Sequence, residues 1–206
     1  MKRIFALMVV LTLAGAVPSR AQESSADMLV WCGLDYSKVK MIGSADFRDP
    51  GEIFPNMLIA WNGLFMKEML PHLEKMARPT GSDLKAVTAR NEKATPSQIE
   101  REDGTRDEMV NATHITAADI ASIVRSYKLK YDKGLGLVFI MDRLVKAQQT
   151  GCLYVVFFDI PSRKVVFSER VCADAGGFGF RNYWFRPVKT AVEKLPRMYG
   201  QARSKQ

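Results

Sequence analysis

Residues 134 to 195 constrain the fold of this chain more than any other stretch. They read GLGLVFIMDRLVKAQQTGCLYVVFFDIPSRKVVFSERVCADAGGFGFRNYWFRPVKTAVEKL: three dense apolar runs parted by short polar breaks, then a glycine-rich turn and an aromatic segment. Leu135 to Met141 and Leu153 to Phe158 are apolar on both alternating faces, which in runs this short predicts strands buried on both sides. Val165, Phe167, Glu169 and Val171 alternate with Val166, Ser168, Arg170 and Cys172, so the third run suits a strand nearer an edge. Pro161, Ser162 and Arg163 supply a tight turn between the last two runs, and Thr150 and Gly151 close the other connection. The expectation is a three-stranded antiparallel meander. Beyond it, Ala175, Gly176, Gly177 and Gly179 break the ladder, and Phe180, Trp184, Val188, Ala191, Val192 and Leu195 recur at helical spacing. Pro187 is expected to kink this helix or restart it, and the helix to pack on the sheet.

Residues 1 to 21 have the pattern of an export signal, with Lys2 and Arg3 ahead of an apolar run from Ile4 to Val17 and small residues at Ser19 and Ala21. The run is short for a membrane anchor and lacks the flanking pattern, and a retained amino-terminal helix that holds the protein at a membrane surface is the weaker alternative. Leu13-Ala14-Gly15 is followed by Ala16 where a lipidated cysteine would stand, so lipidation is not expected. Loss of this segment removes three basic residues and no acid, and the formal charge falls from +8 to 27 minus 22, or +5. Residues 22 to 200 are expected to form one domain with room for a sizeable core, followed by a basic tail at 201–206. The basic residues read as spread out apart from Arg197, Arg203 and Lys205, without a stripe interleaved with aromatics. That pattern argues against nucleic acid as a partner. Weak attraction to an acidic envelope surface fits it.

Three cysteines remain, Cys32, Cys152 and Cys172. If the last hairpin turns at Ser162, Cys152 and Cys172 lie opposite each other, and an exported chain permits a bridge between them. The alternative is two buried thiols. Cys32 is left as a buried free thiol, and the absence of any CxxC spacing removes a redox or zinc motif.

Met28 to Leu34 reads as a first strand, and Val39 to Gly43 as its extension or a second piece. Asp49-Pro50-Gly51-Glu52 has the pattern of a helix start, with an acid at the cap and proline at the first position. Phe54, Met57, Leu58, Trp61, Leu64, Phe65, Met69 and Leu73 follow at steps of three and four, an amphipathic helix that Pro55 shifts and Pro71 bends or ends. Met57, Met66, Met69 and Met76 are read as packing residues rather than soft-metal ligands. Residues 78 to 111 form a polar middle punctuated by Pro79, Gly81, Pro96 and Asp103-Gly104. Two short strands are expected there, around Leu84 to Asn91 and Asp107 to Ile115, joined by a long exposed loop. Thr116 to Asp119 resembles a capping box, and Ile120, Ile123, Val124 and Tyr127 mark the helix behind it.

The catalytic inventory is thin. His72 and His114 are the only histidines, and neither has a neighbour at metal-ligand or triad spacing. Asp142 and Asp159 fall at strand ends and are read as turn caps or as partners of Arg143 and Arg163, in preference to a facing acid and base. The most pointed stretch runs from Gly176 to Trp184. Glycines leading from a strand into a helix present backbone N–H groups to an anion, and Arg181 adds a charged fork, which makes Gly177, Gly179, Arg181, Asn182 and Tyr183 the candidate ligand-binding residues. Their spacing matches neither the phosphate loop nor the dinucleotide fingerprint. The competing reading is structural: the glycines allow a tight passage, Phe178, Phe180 and Trp184 fill the core, and Arg181 and Asn182 satisfy the turn.

The run FFDIPSRKVVFSERV followed by GGFGFRNYW resembles a family of secreted or periplasmic bacterial proteins, over roughly the last third of the chain. That resemblance implies export and attaches no activity. The order strand, helix, strands, helix, meander, helix is also similar to the amino-terminal domain of TolB and the periplasmic domain of curli secretion proteins, which implies an envelope role. The reading that follows is a single α+β domain with a mixed or antiparallel sheet, a C-terminal meander and about three packed helices. It is expected to be exported to the periplasm or medium, with no cofactor, no metal and no stable membrane insertion. Its expected work is non-catalytic binding of an unidentified protein or envelope component. The alternative is an anion-binding protein or an enzyme built on the turn near Arg181.

Overall fold

A computed structural model describes residues 28–43, 47–78, 80–101, 106–112 and 114–205. The chain runs β1 (Leu29–Asp35), β2 (Lys40–Ile42), α1 (Pro50–Glu52), a π turn (Ile53–Met57), α2 (Leu58–Glu68), α3 (Leu70–Met76), β3 (Thr80–Ser82) and α4 (Lys85–Asn91). It continues through β4 (Ile99–Glu100), α5 (Arg106–Asn111), α6 (Ala117–Arg125), β5 (Leu135–Val145), β6 (Thr150–Asp159), β7 (Val165–Asp174) and α7 (Gly179–Arg203). The proposed export segment and the Asp103-Gly104 turn lie outside the described residues.

The sheet is organised by β5, all eleven residues of which are buried. One edge of β5 carries two strands in tandem. Residues 135 to 140 pair with β1 and residues 143 to 145 with β2, both parallel. Short parallel strands then extend each of these, β3 on β1 and β4 on β2. The other edge pairs antiparallel with β6, which pairs antiparallel with β7.

Helices cover both faces. Leu137, Phe139, Leu153, Val155 and Phe157 pack under α2, α3 and α7, whereas Val138, Ile140, Val156 and Phe158 pack against α4 and α6. This three-layer arrangement is the reason the central runs are apolar at successive positions rather than at alternate ones.

These facts correct the expected α+β class. Four of the six strand pairings are parallel, and the described residues form six helices of six residues or more instead of about three. The fold is α/β, a mostly parallel sheet sandwiched between helices. The segment from Leu84 to Asn91, expected as a strand, is α4, whose Ala86 and Val87 pack on the sheet. The other expected strand, Asp107 to Ile115, begins instead as α5. Thr150 and Gly151 belong to β6, and the turn before it is made by residues 146–149, with Gln149 at φ 50°.

Asp49 does not cap α1 with its side chain; it is left-handed at φ 55°, and its carbonyl oxygen accepts from Glu52 and Ile53. Thr116 and Asp119 do form a reciprocal capping box at the head of α6.

Two bulges set up the polar geometry. Gly33 lies at φ 117° where β1 slips register against β5, and a side chain there would meet Val87 and Asn62. In β5 the slip between Met141 and Arg143 leaves Asp142 as the extra residue, and a bulge re-aims such a side chain out of the ladder.

Candidate functional site

The head of α7 is shaped by the glycine-rich turn. Gly177 and Gly179 lie at φ 118° and 74°, conformations that favour glycine. Gly176 N–H donates to the carbonyl oxygen of Tyr183 at 2.9 Å and folds the turn back onto the helix. The indole N–H of Trp61 donates to the carbonyl oxygen of Arg181 at 3.2 Å, and the Trp61 ring stacks on Phe180 with centroids 5.9 Å apart. The head of α7 is thereby fixed to α2. Phe178 stands at the N-cap in an extended conformation without a side-chain cap.

The candidate ligand residues divide between two clefts. Gly179, Arg181 and Asn182 open with Phe178 onto a cleft of about 440 Å³, whose far wall is Asn56, Met57 and Ala60. Tyr183 lies instead in a cleft of about 290 Å³ with Phe47 and Trp184, where Lys146 Nζ sits 4.2 Å from the Tyr183 ring centre. Gly179 borders both clefts, and Gly177 borders neither. Phe178 departs from the core-filling role read from the sequence: it is 95% exposed. Trp184 is buried and Phe180 partly buried, so these two do fill the core.

Asp35, Asp83 and Asp142 are buried carboxylates, and two of them, Asp142 and Asp35, gather several polar side chains. Asp142 is fully buried, with Arg170 Nη2 at 2.6 Å, His114 Nδ1 at 3.0 Å and Arg143 Nε at 3.6 Å. Arg170 Nη2 and Arg143 Nη1 also donate to the carbonyl oxygens of Val110 and Met109, which binds α5 to the meander. Asp159 lies at the far end of β6, where it accepts from Ser162 N at 2.8 Å and from the Ser162 hydroxyl. The two carboxylates therefore do not face one another. Asp159 caps its turn, and Asp142 pairs with arginines.

The second buried carboxylate, Asp35, escapes sequence reasoning. It ends β1 and accepts from Arg90 Nε at 2.9 Å, the Tyr127 hydroxyl at 2.8 Å, and Ser37 N and Oγ at 3.0 and 2.6 Å. Burial and the Asp35 charge push the Tyr127 hydroxyl well above its ordinary range and that of Tyr36 up to about 12. The only sequence signal was a single acid closing an apolar run. These bonds tie β1 to α4 and to the end of α6, while Tyr36 borders the groove that neighbours the cluster.

Beside it, Ile59, Ala60, Gly63, Leu84 and Thr88 line an apolar groove of about 600 Å³ between α2 and α4. Its amides are already committed: Asn62 and Asn91 bond the backbone of Leu34 and Tyr36.

Cys152 and Cys172 are directly opposite in β6 and β7 and form a disulfide, with Cα atoms 4.1 Å apart. Cys32 is a buried free thiol, pushed upward by that burial. Among the described residues no group of three or more His, Cys, Asp or Glu side chains gathers as a metal site, and no helix is long and apolar enough to cross a membrane.

No protein-family model matches this chain, so the likeness drawn from GGFGFRNYW has no family match behind it. No curated protein matches either. Among solved structures, the chain is similar to the crystal structure of lipoprotein GNA1162 from Neisseria meningitidis, at 12% identity and a TM-score of 0.34, over 82% of this chain and 96% of that one. A likeness at that level carries no inference about fold or function.

Proposed function

We propose that this chain is an exported, envelope-associated protein that acts by binding a partner, with the cleft at the head of α7 as its docking site. The observation that carries the reading is Phe178, a phenyl ring 95% exposed at the mouth of that cleft. Holding a ring of this size in water forfeits the burial free energy of about 1.5–3 kcal/mol that a core position would supply. Aromatic residues are also the side chains that most often anchor protein interfaces. Met57, just ahead of α2, and Ala60 within it extend the apolar surface across the cleft, and Arg181 and Asn182 give it a polar rim. Export is supported by the Cys152–Cys172 disulfide, because such bonds persist in oxidising compartments.

A photo-reactive residue at position 178 tests the docking site in cells, with the exposed position Lys133 as control. A discrete adduct from position 178 alone, in a fraction where Cys152 and Cys172 are oxidised, is expected. Absence of any adduct at 178 removes the docking site, and reduced cysteines in a cytosolic fraction remove export.

A second reading is favoured by one feature. The first N–H groups of α7 have no side-chain cap and lie beside Arg181, which suits a small anion. A thermal-shift panel of anions on the wild type and on Arg181→Ala separates the two. A shift lost in the variant supports the anion, since a ligand of the native state raises its stability by mass action.

A further inference from the structure

We infer that the outward face of α7 is a docking surface for an anionic phospholipid bilayer; this rests on the export reading above and concerns a different surface from the Phe178 cleft. Residues 179 to 205 contain seven Lys or Arg against the single acid Glu193, a net +6, whereas residues 28 to 178 contain 20 basic and 19 acidic residues, a net +1. Nearly all the positive excess of the folded part therefore resides on one helix and its last turn. In sequence those charges look scattered. The helix gathers them: Arg186, Lys189, Lys194 and Arg197 recur at three- to five-residue steps and are exposed, while Trp184, Val188, Ala191 and Leu195 face the sheet.

Local pairing does not cancel this field. Lys189 is engaged by Glu68 at 2.7 Å and Arg197 by Glu169 at 2.5 Å, but no carboxylate lies within ion-pair distance of Arg186 or Lys194 among the described residues. Arg186 to Arg197 spans about 17 Å along the helix axis, so the charges form a stripe suited to an extended polyanionic surface rather than to a point ligand.

One flank of the stripe, on the Lys189 side, offers apolar surface, the second signal that stable membrane attachment needs. Between α3 and α7 lies a groove of about 340 Å³ walled by Met69, Leu73, Met76, Val192 and Pro196, with His72, Lys189 and the single acid of the helix, Glu193, at its edge. A basic stripe beside an apolar groove matches the phosphate and acyl layers of a leaflet. Nucleic acid, the other common polyanion, offers nothing to the groove and does not share the compartment the disulfide implies.

Co-sedimentation of the full chain with phosphatidylglycerol-rich vesicles tests the inference, with pure phosphatidylcholine vesicles and duplex DNA as parallel arms. The neutral vesicles account for any contribution of the apolar amino-terminal residues. Preferential binding to the anionic vesicles, weakened by added salt, is expected. Each basic residue near an anionic leaflet contributes about fivefold to partitioning. Arg186→Gln with Lys194→Gln should therefore lower it by at least tenfold, with an unchanged melting curve showing that the fold is intact. Equal binding to neutral vesicles, insensitivity to the double substitution, or DNA binding as tight as lipid binding would each overturn the assignment. A chain that is exported and bridged yet ignores the anionic vesicles refutes this inference alone; a cytosolic, reduced chain refutes the export reading beneath it.

Discussion

His114 Nδ1 lies 3.0 Å from Asp142 Oδ1, joining the segment ahead of α6 to the bulge in β5. Burial alone would raise the pKa of the Asp142 carboxyl, but its contacts with His114 and Arg170 outweigh that and hold it below the usual carboxylate range. A carboxyl lowered in the folded state contributes stability that is present above its unfolded pKa, about 3.9, and is lost as pH falls through the lower folded value. Asp142→Asn is therefore expected to cost roughly 3–5 kcal/mol near neutral pH, because it leaves charged arginine without its partner. It should also flatten the acid limb of the stability curve below about pH 4. Urea melts of both proteins across that range measure the two effects, and an acid limb that stays steep in the variant would contradict the assignment.

The disulfide closes a loop of sequence separation 20 between neighbouring strands. The chain-entropy account assigns a bridge of that span about 3 kcal/mol of stability. Replacing Cys152 and Cys172 together by Ala, compared with the oxidised wild type in urea, should show a loss of that order. A loss below about 1 kcal/mol would indicate that β7 is held by α7 and the Arg170 contacts rather than by the bridge.

Asn62 and Asn91 reach from α2 and α4 to the backbone of β1 beyond the last residue that pairs with β3. Asn62 accepts from Leu34 N at 2.7 Å, Asn91 accepts from Tyr36 N at 2.9 Å, and both donate to the Leu34 carbonyl oxygen. Either Asn→Leu change leaves a buried N–H without an acceptor, a cost of about 1–3 kcal/mol. Because the two amides share one carbonyl, the double variant should depart from additivity by at least about 0.5 kcal/mol. A double-mutant cycle by thermal or urea unfolding checks it, and strict additivity would show that the amides act independently.

Cys32 lies at the bulge in β1, fully buried, with burial holding its thiol in the protonated form. The thiolate is the reactive species, so a maleimide should leave the native protein unlabelled and label it once in denaturant, with Cys152 and Cys172 still bridged. Mass spectrometry reads the count directly. Rapid labelling under native conditions would mean that the α4 side of the sheet opens readily.

The long strands are legible in the sequence because LVFIM and LYVVFF sit at the middle of a sheet covered on both faces. The parallel half is legible only in part: the runs at 28–34 and 39–43 announce β1 and β2, but not their parallel pairing or the strands beyond them. TGS and IE are three and two residues long, too short to carry a period, and they are set by pairing with β1 and β2, themselves seated in tandem on β5. Val87 and Thr88 lend a strand-like look to the segment from Leu84 to Asn91, yet tertiary context makes it a helix whose Val87 packs over the space that Gly33 leaves open. At the candidate site, the glycines signal the turn, but nothing local tells Phe178, which faces water, from Phe180, which stacks on Trp61. The basic stripe of α7 is invisible to a count of charges until the residues are wound onto a helix.

The tandem seating on β5 also orders events in time. The two strands at the heart of the parallel half wait for one made later: β1 and β2 both seat on β5, and before it arrives they have only the short ladders to β3 and β4. A chain emerging amino end first thus has no sheet centre until about two thirds of it is complete, and such sequence-distant pairing is slow to form. The nascent protein stays open through most of its synthesis, the condition in which a chain can still be threaded through a narrow passage.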